Sequence, residues 1–309
     1  MGKEKKECEP RHTCETCGET DKCSEKEKQA HEEERLKERL SLIRHRILVM
    51  SGKGGVGKST VAVNLAAALA QQGFQVGVLD ADIHGPNIPR MLGVDLHEVF
   101  STGNGLRPVE ALPNLKVISM ALISRDSDAP IVWRGPIKHN VIKQFLTDVE
   151  WGPLDFLIVD LPPGTGDEPL SVAHLISQVD GSVIVTTPQD VALLDSRKAV
   201  GFSRLLNIHC LGIVENMSGM VCPHCGKEID LFKVGGGEKA ARELGVPFLG
   251  RIPLDPEMVI LCDAGKPLVW NLPESAAAKA FQKVAEGLID RMEGKTTRIA
   301  QNAKGGSRT

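Results

Sequence analysis

Between residues 46 and 292, short apolar runs alternate with longer amphipathic segments. The runs at 46–51, 75–80, 116–120, 155–160, 181–187, 208–214 and 247–252 read as strands. They are continuously apolar rather than alternating, as in Phe156-Leu-Ile-Val159 and Val183-Ile-Val185, so both of their faces must be covered. The stretches 57–72, 136–149, 168–178, 190–206, 236–244 and 274–292 carry helical spacing between them. Strands and helices in alternation predict an α/β fold with three layers, a mostly parallel sheet flanked by helices. No internal repeat interrupts the pattern.

The flanks differ. Residues 1–23 are charged, cysteine-rich and almost free of aliphatic side chains, so they cannot build a core unaided. Such an extension is either disordered or organised by a metal centre. Ser24 and Glu27 match a capping box, and the Glu/Lys/Arg run that follows to Arg46 reads as a charged linker helix, 24–45. Glu33 and Lys37 stand at i,i+4 in the favourable order. Leu36, Leu40 and Ile43 give this helix a narrow apolar stripe, fit for lying on the surface of the main domain. After Glu293 the chain turns polar and glycine-bearing, so 293–309 reads as a flexible tail.

The chemistry starts at Ile47. Four apolar residues to Met50 are followed by Gly52-Lys53-Gly54-Gly55-Val56-Gly57-Lys58-Ser59, then Thr60 and an Ala-rich helical stretch, Val61 to Ala70. The eight residues fit G-x-x-x-x-G-K-S/T at every position, in the strand–loop–helix context the motif needs. Glycines let the backbone wrap a polyanion with its N–H groups inward, and the helix N-terminus adds its dipole. Lys58 is placed to reach the β- and γ-phosphates, and the Ser59 hydroxyl to ligate Mg²⁺. The chain binds a nucleoside triphosphate.

Two more strand ends carry carboxylates. Strand 75–80 closes on Val78-Leu-Asp80-Ala-Asp82, at the carboxyl end where open α/β sheets place their ligands. Strand 155–160 closes on Asp160, followed by Leu-Pro-Pro-Gly-Thr-Gly-Asp167. An apolar strand ending in Asp is the Walker-B arrangement, so Asp160 is expected to hold Mg²⁺, directly or through water. The backbones of Gly164 and Gly166 can approach the γ-phosphate. Asp82 is the expected group for positioning or deprotonating the attacking water.

Composition narrows the setting. The 309 residues are 41% hydrophobic and 25% charged with net charge -3, a balance that does not favour nucleic acid. No apolar run reaches a membrane span. The N-terminus has no apolar signal core, and Lys6 stands where myristoylation wants Ser or Thr. A cytoplasmic protein is expected, with its thiols kept reduced. Of eight cysteines, Cys8, Cys14, Cys17 and Cys23 crowd the N-terminus, and Cys222 and Cys225 form a C-x-x-C ahead of Gly226. Clusters like these point to metal or Fe–S ligation. The C-x-x-C supplies only two ligands where zinc or a [4Fe-4S] cluster wants four. Two pairs meeting on the axis of a homodimer would complete the set. Zinc is the alternative, with His224 between the thiols. The four N-terminal cysteines suffice for a closed site of their own, [4Fe-4S] or zinc. Cys262 reads as an accessory ligand or a small buried hydrophobe, and Cys210 as the latter.

The second lysine of the loop, Lys53, makes K-G-G-V-G-K-S-T resemble the deviant Walker-A loop of the MinD/ParA/NifH class. That resemblance implies a dimer sandwiching two nucleotides, with Lys53 reaching into the partner's site. S-G-K-G-G-V-G-K-S-T, D-A-D-I-H-G-P-N (80–87), D-L-P-P-G-T-G-D (160–167), T-T-P-Q (186–189), N-M-S-G (216–219) and C-P-H-C (222–225) then occur in order. The set resembles the Mrp/ApbC family, relatives of the eukaryotic cytosolic Fe–S scaffold ATPases, and spans most of 46–262.

The resemblance implies ATP as the nucleotide, Asn216 against the adenine base and a [4Fe-4S] cluster bridging two subunits at Cys222 and Cys225. It also implies delivery to apo-Fe–S recipient proteins, with an assembly or electron-transfer partner. The N-terminal set resembles the cluster site of the eukaryotic scaffold relatives in its last three spacings, while the gap after Cys8 is shorter; many Mrp/ApbC members lack this segment. The organisation expected is a cluster-binding segment at 1–23, the linker at 24–45, an ATPase domain with the C-x-x-C site at 46–292, and the tail. A NifH-like redox protein is the nearest alternative. A MinD- or ParA-like positioning ATPase with zinc-bound cysteines is the other, but the polar tail gives no amphipathic membrane face and the acidic balance no DNA surface.

Overall fold

The computed structural model describes residues 24–102, 104–123, 135–176, 178–222 and 224–305. The chain opens with α1 (Glu25–Ser41), β1 (Ile43–Met50), α2 (Lys58–Gln71) and β2 (Val76–Asp80), then the short α3 (Ile88–Met91). A hairpin of β3 (Phe100–Thr102) and β4 (Gly105–Arg107) leads to β5 (Val109–Leu112) and β6 (Leu115–Ile118). After α4 (Gly135–Thr147), strands and helices alternate as β7 (Leu154–Asp160), α5 (Asp167–Leu175), β8 (Gly181–Thr186), α6 (Asp190–Leu205) and β9 (Cys210–Glu215). A second small hairpin, β10 (Met220–Val221) and β11 (Glu228–Ile229), precedes α7 (Gly236–Leu244) and β12 (Phe248–Arg251). The helices α8 (Pro256–Asp263), α9 (Leu268–Asn271) and α10 (Ala276–Gly305) close the order.

Eight strands form one sheet in the order β12-β9-β8-β1-β7-β2-β6-β5. Every neighbouring pair is parallel except β5 with β6. The sheet is three-layered as the apolar runs require, because successive side chains of one strand leave on opposite faces. In β1, Ile47 and Val49 join the core formed with α2 and α10, while Leu48 and Met50 join the core under α4 and α5. Val183 and Ile184 of β8 divide the same way, Ile184 packing with Ala199 of α6 and Ala240 of α7. The parallel register brings the carboxyl ends of β1, β2, β7, β8 and β9 to one edge of the sheet. The loop after β1, Asp80, Asp160, Thr186 and Glu215 therefore sit along one line.

Three details depart from the sequence reading. The capping box at Ser24 and Glu27 is present, but the first helix ends at Ser41 and not Arg46. Ile43 already pairs with Leu154, since burying Ile43 (2% exposed) beside β7 is worth more than another turn of a charged helix. The last helix runs to Gly305, so its backbone enters the stretch read as a tail; Met292 is the last buried residue among its described side chains, which end at 294. Ala, Lys, Arg and Gln in the sequence beyond it are good helix formers. The antiparallel strand β5 and the hairpin β3–β4 were not visible in the apolar pattern, being short and half exposed.

Candidate functional site

The loop between β1 and α2 is shaped by its glycines. Gly55 and Gly57 have φ of +79° and +78°, which L side chains rarely adopt. A Cβ at Gly52 would lie 2.0 Å from the carbonyl oxygen of Asp195, so only glycine lets the loop pass α6. Gly54 and Gly55 face open space. No side chain caps the N-terminus of α2, which leaves its first N–H groups for an anion. The loop is built to receive phosphate.

Lys58, Ser59 and Asp160 converge beneath it. The Lys58 ammonium, 6% exposed, stands 2.7 Å from Asp160 Oδ1, and the Ser59 hydroxyl donates to Asp160 Oδ2 at 2.5 Å. Asp160 is fully buried, and burial pushes its carboxyl above the usual range, with Lys58 the main opposing charge. A hydroxyl and a carboxylate in contact are a hard-oxygen donor set, and they fit Mg²⁺.

Asp80, one of the two carboxylates closing strand 75–80, carries no role in the motif reading, yet it lies at the centre of the site. The β2–β7 register sets it level with Asp160. Burial first, and then the Asp160 charge, push its carboxyl up to about 8. Ser119 donates to its Oδ2 at 3.0 Å and the Asp82 N–H to its Oδ1 at 3.2 Å. The signal was present in Val76–Asp80, an apolar strand closing on Asp like the one before Asp160. Asp82, half-buried, accepts from the Gly85 N–H at 3.2 Å and lies in the loop after β2 rather than in the buried pair. His84 of that loop meets Glu168 of α5 at 3.2 Å. Gly164, φ +94°, donates to the Ser51 carbonyl at 3.0 Å, and open space lies at Gly164 and Gly166.

Lys53 is half-exposed and makes no ion pair among the described residues; Ser51 Oγ donates to its carbonyl at 2.9 Å. Val56 is buried in the core and Thr60 half-buried at the start of α2. Asn216 is 3% exposed, and its amide donates to the Val56 carbonyl at 2.9 Å. It braces the phosphate loop directly.

Cys222 and Cys225 sit at the tip of the β10–β11 hairpin. The Gly226 N–H donates to the Cys222 carbonyl and the Cys222 N–H to the Lys227 carbonyl, both at 2.9 Å, and Gly226 turns the chain at φ +69°. Backbone N–H groups of His224 and then Cys225 point at the Cys222 sulfur and hold its thiol below the usual range. Cys225 is exposed and Cys222 half-buried. The turn thus offers two thiols ready to ligate. Among the described residues no third His, Cys, Asp or Glu joins them. Cys210 and Cys262 are buried, and burial raises both thiols, Cys210 to about 11; they behave as core residues. Cys8, Cys14, Cys17 and Cys23 lie outside the described residues.

A glycine loop on a helix N-terminus, with lysine, serine and a strand-terminal aspartate beneath it, defines a P-loop ATPase. The pattern of the ParA-type family described as NUBPL iron-transfer P-loop NTPase matches residues 42–289, and the chain belongs to that family. The ordered motifs had pointed there. The chain is similar to the iron-sulfur cluster carrier protein of Methanocaldococcus jannaschii, 50% identical over 261 residues, 84% of this chain and 89% of that protein. Its fold is similar to the ADP complex of a nucleotide-binding protein from Archaeoglobus fulgidus in which cobalt was found, with TM-score 0.68, 41% identity, and 76% of this chain and 91% of the other covered. The cell division ATPase MinD of Pyrococcus furiosus is similar at TM-score 0.57 and 26% identity, over 80% of this chain and 99% of its own. Among the described residues no helix is long and apolar enough to cross a membrane.

Proposed function

We propose that this ATPase is a carrier or scaffold that assembles a [4Fe-4S] cluster between two copies of the chain and passes it to apo-proteins in the cytoplasm. The observation that carries the reading is the C-x-x-C turn itself. It presents two thiols, one of them with N–H groups aimed at its sulfur, and among the described residues no third ligand joins them. Two such turns on a two-fold axis supply the four thiolates a cluster takes. Val221, Ile229, Leu231 and Val234 around the turn are 40–60% exposed, an apolar surround that a second copy would cover. The carrier name of the Methanocaldococcus relative supports the same cargo.

In this reading Lys58 leaves Asp160 for the β- and γ-phosphates, and Ser59 and Asp160 hold Mg²⁺. Mg²⁺ held there would supply positive charge to offset what develops on the transferred phosphoryl group. Asp82 would orient the attacking water, Lys53 would complete the partner's site, and Asn216, which braces the loop at Val56, would lie against the adenine base. Cys8, Cys14, Cys17 and Cys23 would form a second cluster site at the N-terminus.

The test is anaerobic reconstitution with iron and sulfide, read by absorbance, EPR and iron counting. About four iron per dimer at the bridging site, retained when residues 1–23 are deleted and lost in Cys222→Ala/Cys225→Ala, is the expected result. Tight zinc with no brown chromophore in either chain would sink the carrier reading and leave a zinc-stabilised ATPase.

A further inference from the structure

One buried carboxylate joins the two sites, and the phosphate-loop chemistry makes no use of it. Glu215 ends β9 and is fully buried. Its Oε1 accepts from the Gly235 N–H at 2.9 Å and from the Ser218 hydroxyl, and its Oε2 accepts from the Gly237 N–H. Arg251 Nε, 3.6 Å from Oε1, is the counter-charge. Gly235 and Gly237 flank the first residue of α7, so the carboxylate also meets that helix at its positive end. A Cβ at Gly237 would come within 3.0 Å of Glu215, which explains the glycine.

The segment between these contacts is the one that carries Cys222 and Cys225. Ser218 pins its start and Gly235 and Gly237 pin its end, all on one side chain. The neighbouring residue, Asn216, donates to the Val56 carbonyl, and a Cβ at Gly57 would stand 2.3 Å from its amide nitrogen. A shift of the phosphate loop at Val56 and Gly57 therefore has no free space at Asn216 to be absorbed in. Close-packed contacts of this kind transmit displacement.

We propose that Glu215 is a positioning residue that couples the nucleotide state of the loop to the grip of the Cys222–Cys225 turn on its metal cargo. The inference rests on the function proposed above and names the side chain through which that function is regulated. Coupling of this sort is reciprocal: if nucleotide changes the hold on metal, metal loading changes nucleotide affinity by the same factor.

The probe is zinc, in a full-length chain with Cys8, Cys14, Cys17 and Cys23 changed to Ser so that the C-x-x-C turn reports alone. Zinc release to a chromogenic chelator is timed without nucleotide, with ADP and with a non-hydrolysable ATP analogue. With Glu215 present, release with the analogue and release without nucleotide should differ by at least about 5-fold. In Glu215→Gln and in Ser218→Ala that ratio should collapse to within about 2-fold, whatever the absolute rates. A merely structural role would speed release equally in every nucleotide state and leave the ratio intact, which would overturn the proposal. Should Glu215→Gln fail to fold by circular dichroism, Ser218→Ala decides. Zinc bound with no nucleotide-dependent ratio in the parent sinks the coupling alone; no metal bound at Cys222 and Cys225 sinks the carrier reading and the coupling with it.

Discussion

Lys58 Nζ lies 2.7 Å from Asp160 Oδ1, so the lysine proposed to bind phosphate is paired with the carboxylate proposed to hold Mg²⁺. Both groups are buried, and each is the other's counter-charge. Lys58→Ala removes the cation and leaves the carboxylate unpaired. ATP turnover should fall by about 10²-fold or more, because a preorganised charge on the transferring phosphoryl group is lost. The melting temperature of the nucleotide-free chain should fall as well, since breaking a buried pair from one side typically costs several kcal/mol, about 3–5. Unchanged turnover by phosphate release would remove Lys58 from the chemistry.

Lys53 is half-exposed and has no ion-pair partner of its own among the described residues. If it serves the opposite subunit, Lys53→Ala should bind ATP normally and lose turnover by roughly 10³-fold, the lower end for a charge supplied in trans. Mixing is the sharper check. A Lys53→Ala chain and a Lys58→Ala chain are each inactive alone, but a mixed dimer has one complete site, so activity should return on mixing. No return would place Lys53 in its own subunit's loop.

Asp80 gives a pH dependence. Its folded carboxyl is raised to about 8 by burial and by Asp160. An ordinary unfolded aspartate ionises near 4, so between roughly pH 4 and pH 8 the unfolded state loses a proton that the folded state keeps. Stability from this group is full below that window and is lost as pH rises through it. Asp80→Asn cannot ionise and should raise the melting temperature of the metal-free, nucleotide-free chain at pH 8 more than at pH 5. Equal shifts at the two pH values would show that Asp80 is ionised in the folded chain.

The contrast between Asp160 and Asp80 shows where the sequence was legible. Asp160 follows four apolar residues and precedes a proline–glycine loop, so strand, end and chemistry are all local. Asp80 has the same local signal, but its raised carboxyl depends on burial in the sheet and then on Asp160, which is 80 positions away and adjacent only through the β2–β7 register. The sheet was legible for the same reason as Asp160: parallel strands buried on both faces write themselves as unbroken apolar runs. The edge strand β5 is half exposed and antiparallel, so it leaves no such run. Glu215 was invisible because its three donors come from residues whose placement only the fold decides.

The first helix was read as a linker, yet Arg35 is 4% exposed and pairs with Asp148 at 3.0 Å while donating to the Asn104 carbonyl at 2.8 Å. Leu40 is buried in the core with α4 and β1. Arg35→Ala should therefore destabilise the ATPase body by about 1–3 kcal/mol, the cost of leaving buried polar partners unmade. Chemical denaturation measures it. A change near zero would return the helix to the role of a surface linker.

Gly226 sets the geometry of the Cys222–Cys225 turn proposed to hold metal. At φ +69° it closes the hairpin so that its N–H reaches the Cys222 carbonyl at 2.9 Å. Open space surrounds the position where a Cβ would be, so alanine there would meet no clash and pay only the left-handed backbone penalty. That penalty is about 1–2 kcal/mol for a non-glycine residue. It falls on the turn and not on the core, which makes the global melting temperature insensitive to it. Metal affinity of Gly226→Ala should drop about 5- to 30-fold in competition with a zinc chelator, by the usual tenfold for each 1.4 kcal/mol. ATP binding, measured with a fluorescent analogue, should stay unchanged in the metal-free chain. If affinity for metal is also unchanged, the turn does not preorganise the thiols, and the ligands must be ordered by the metal or by the second copy instead.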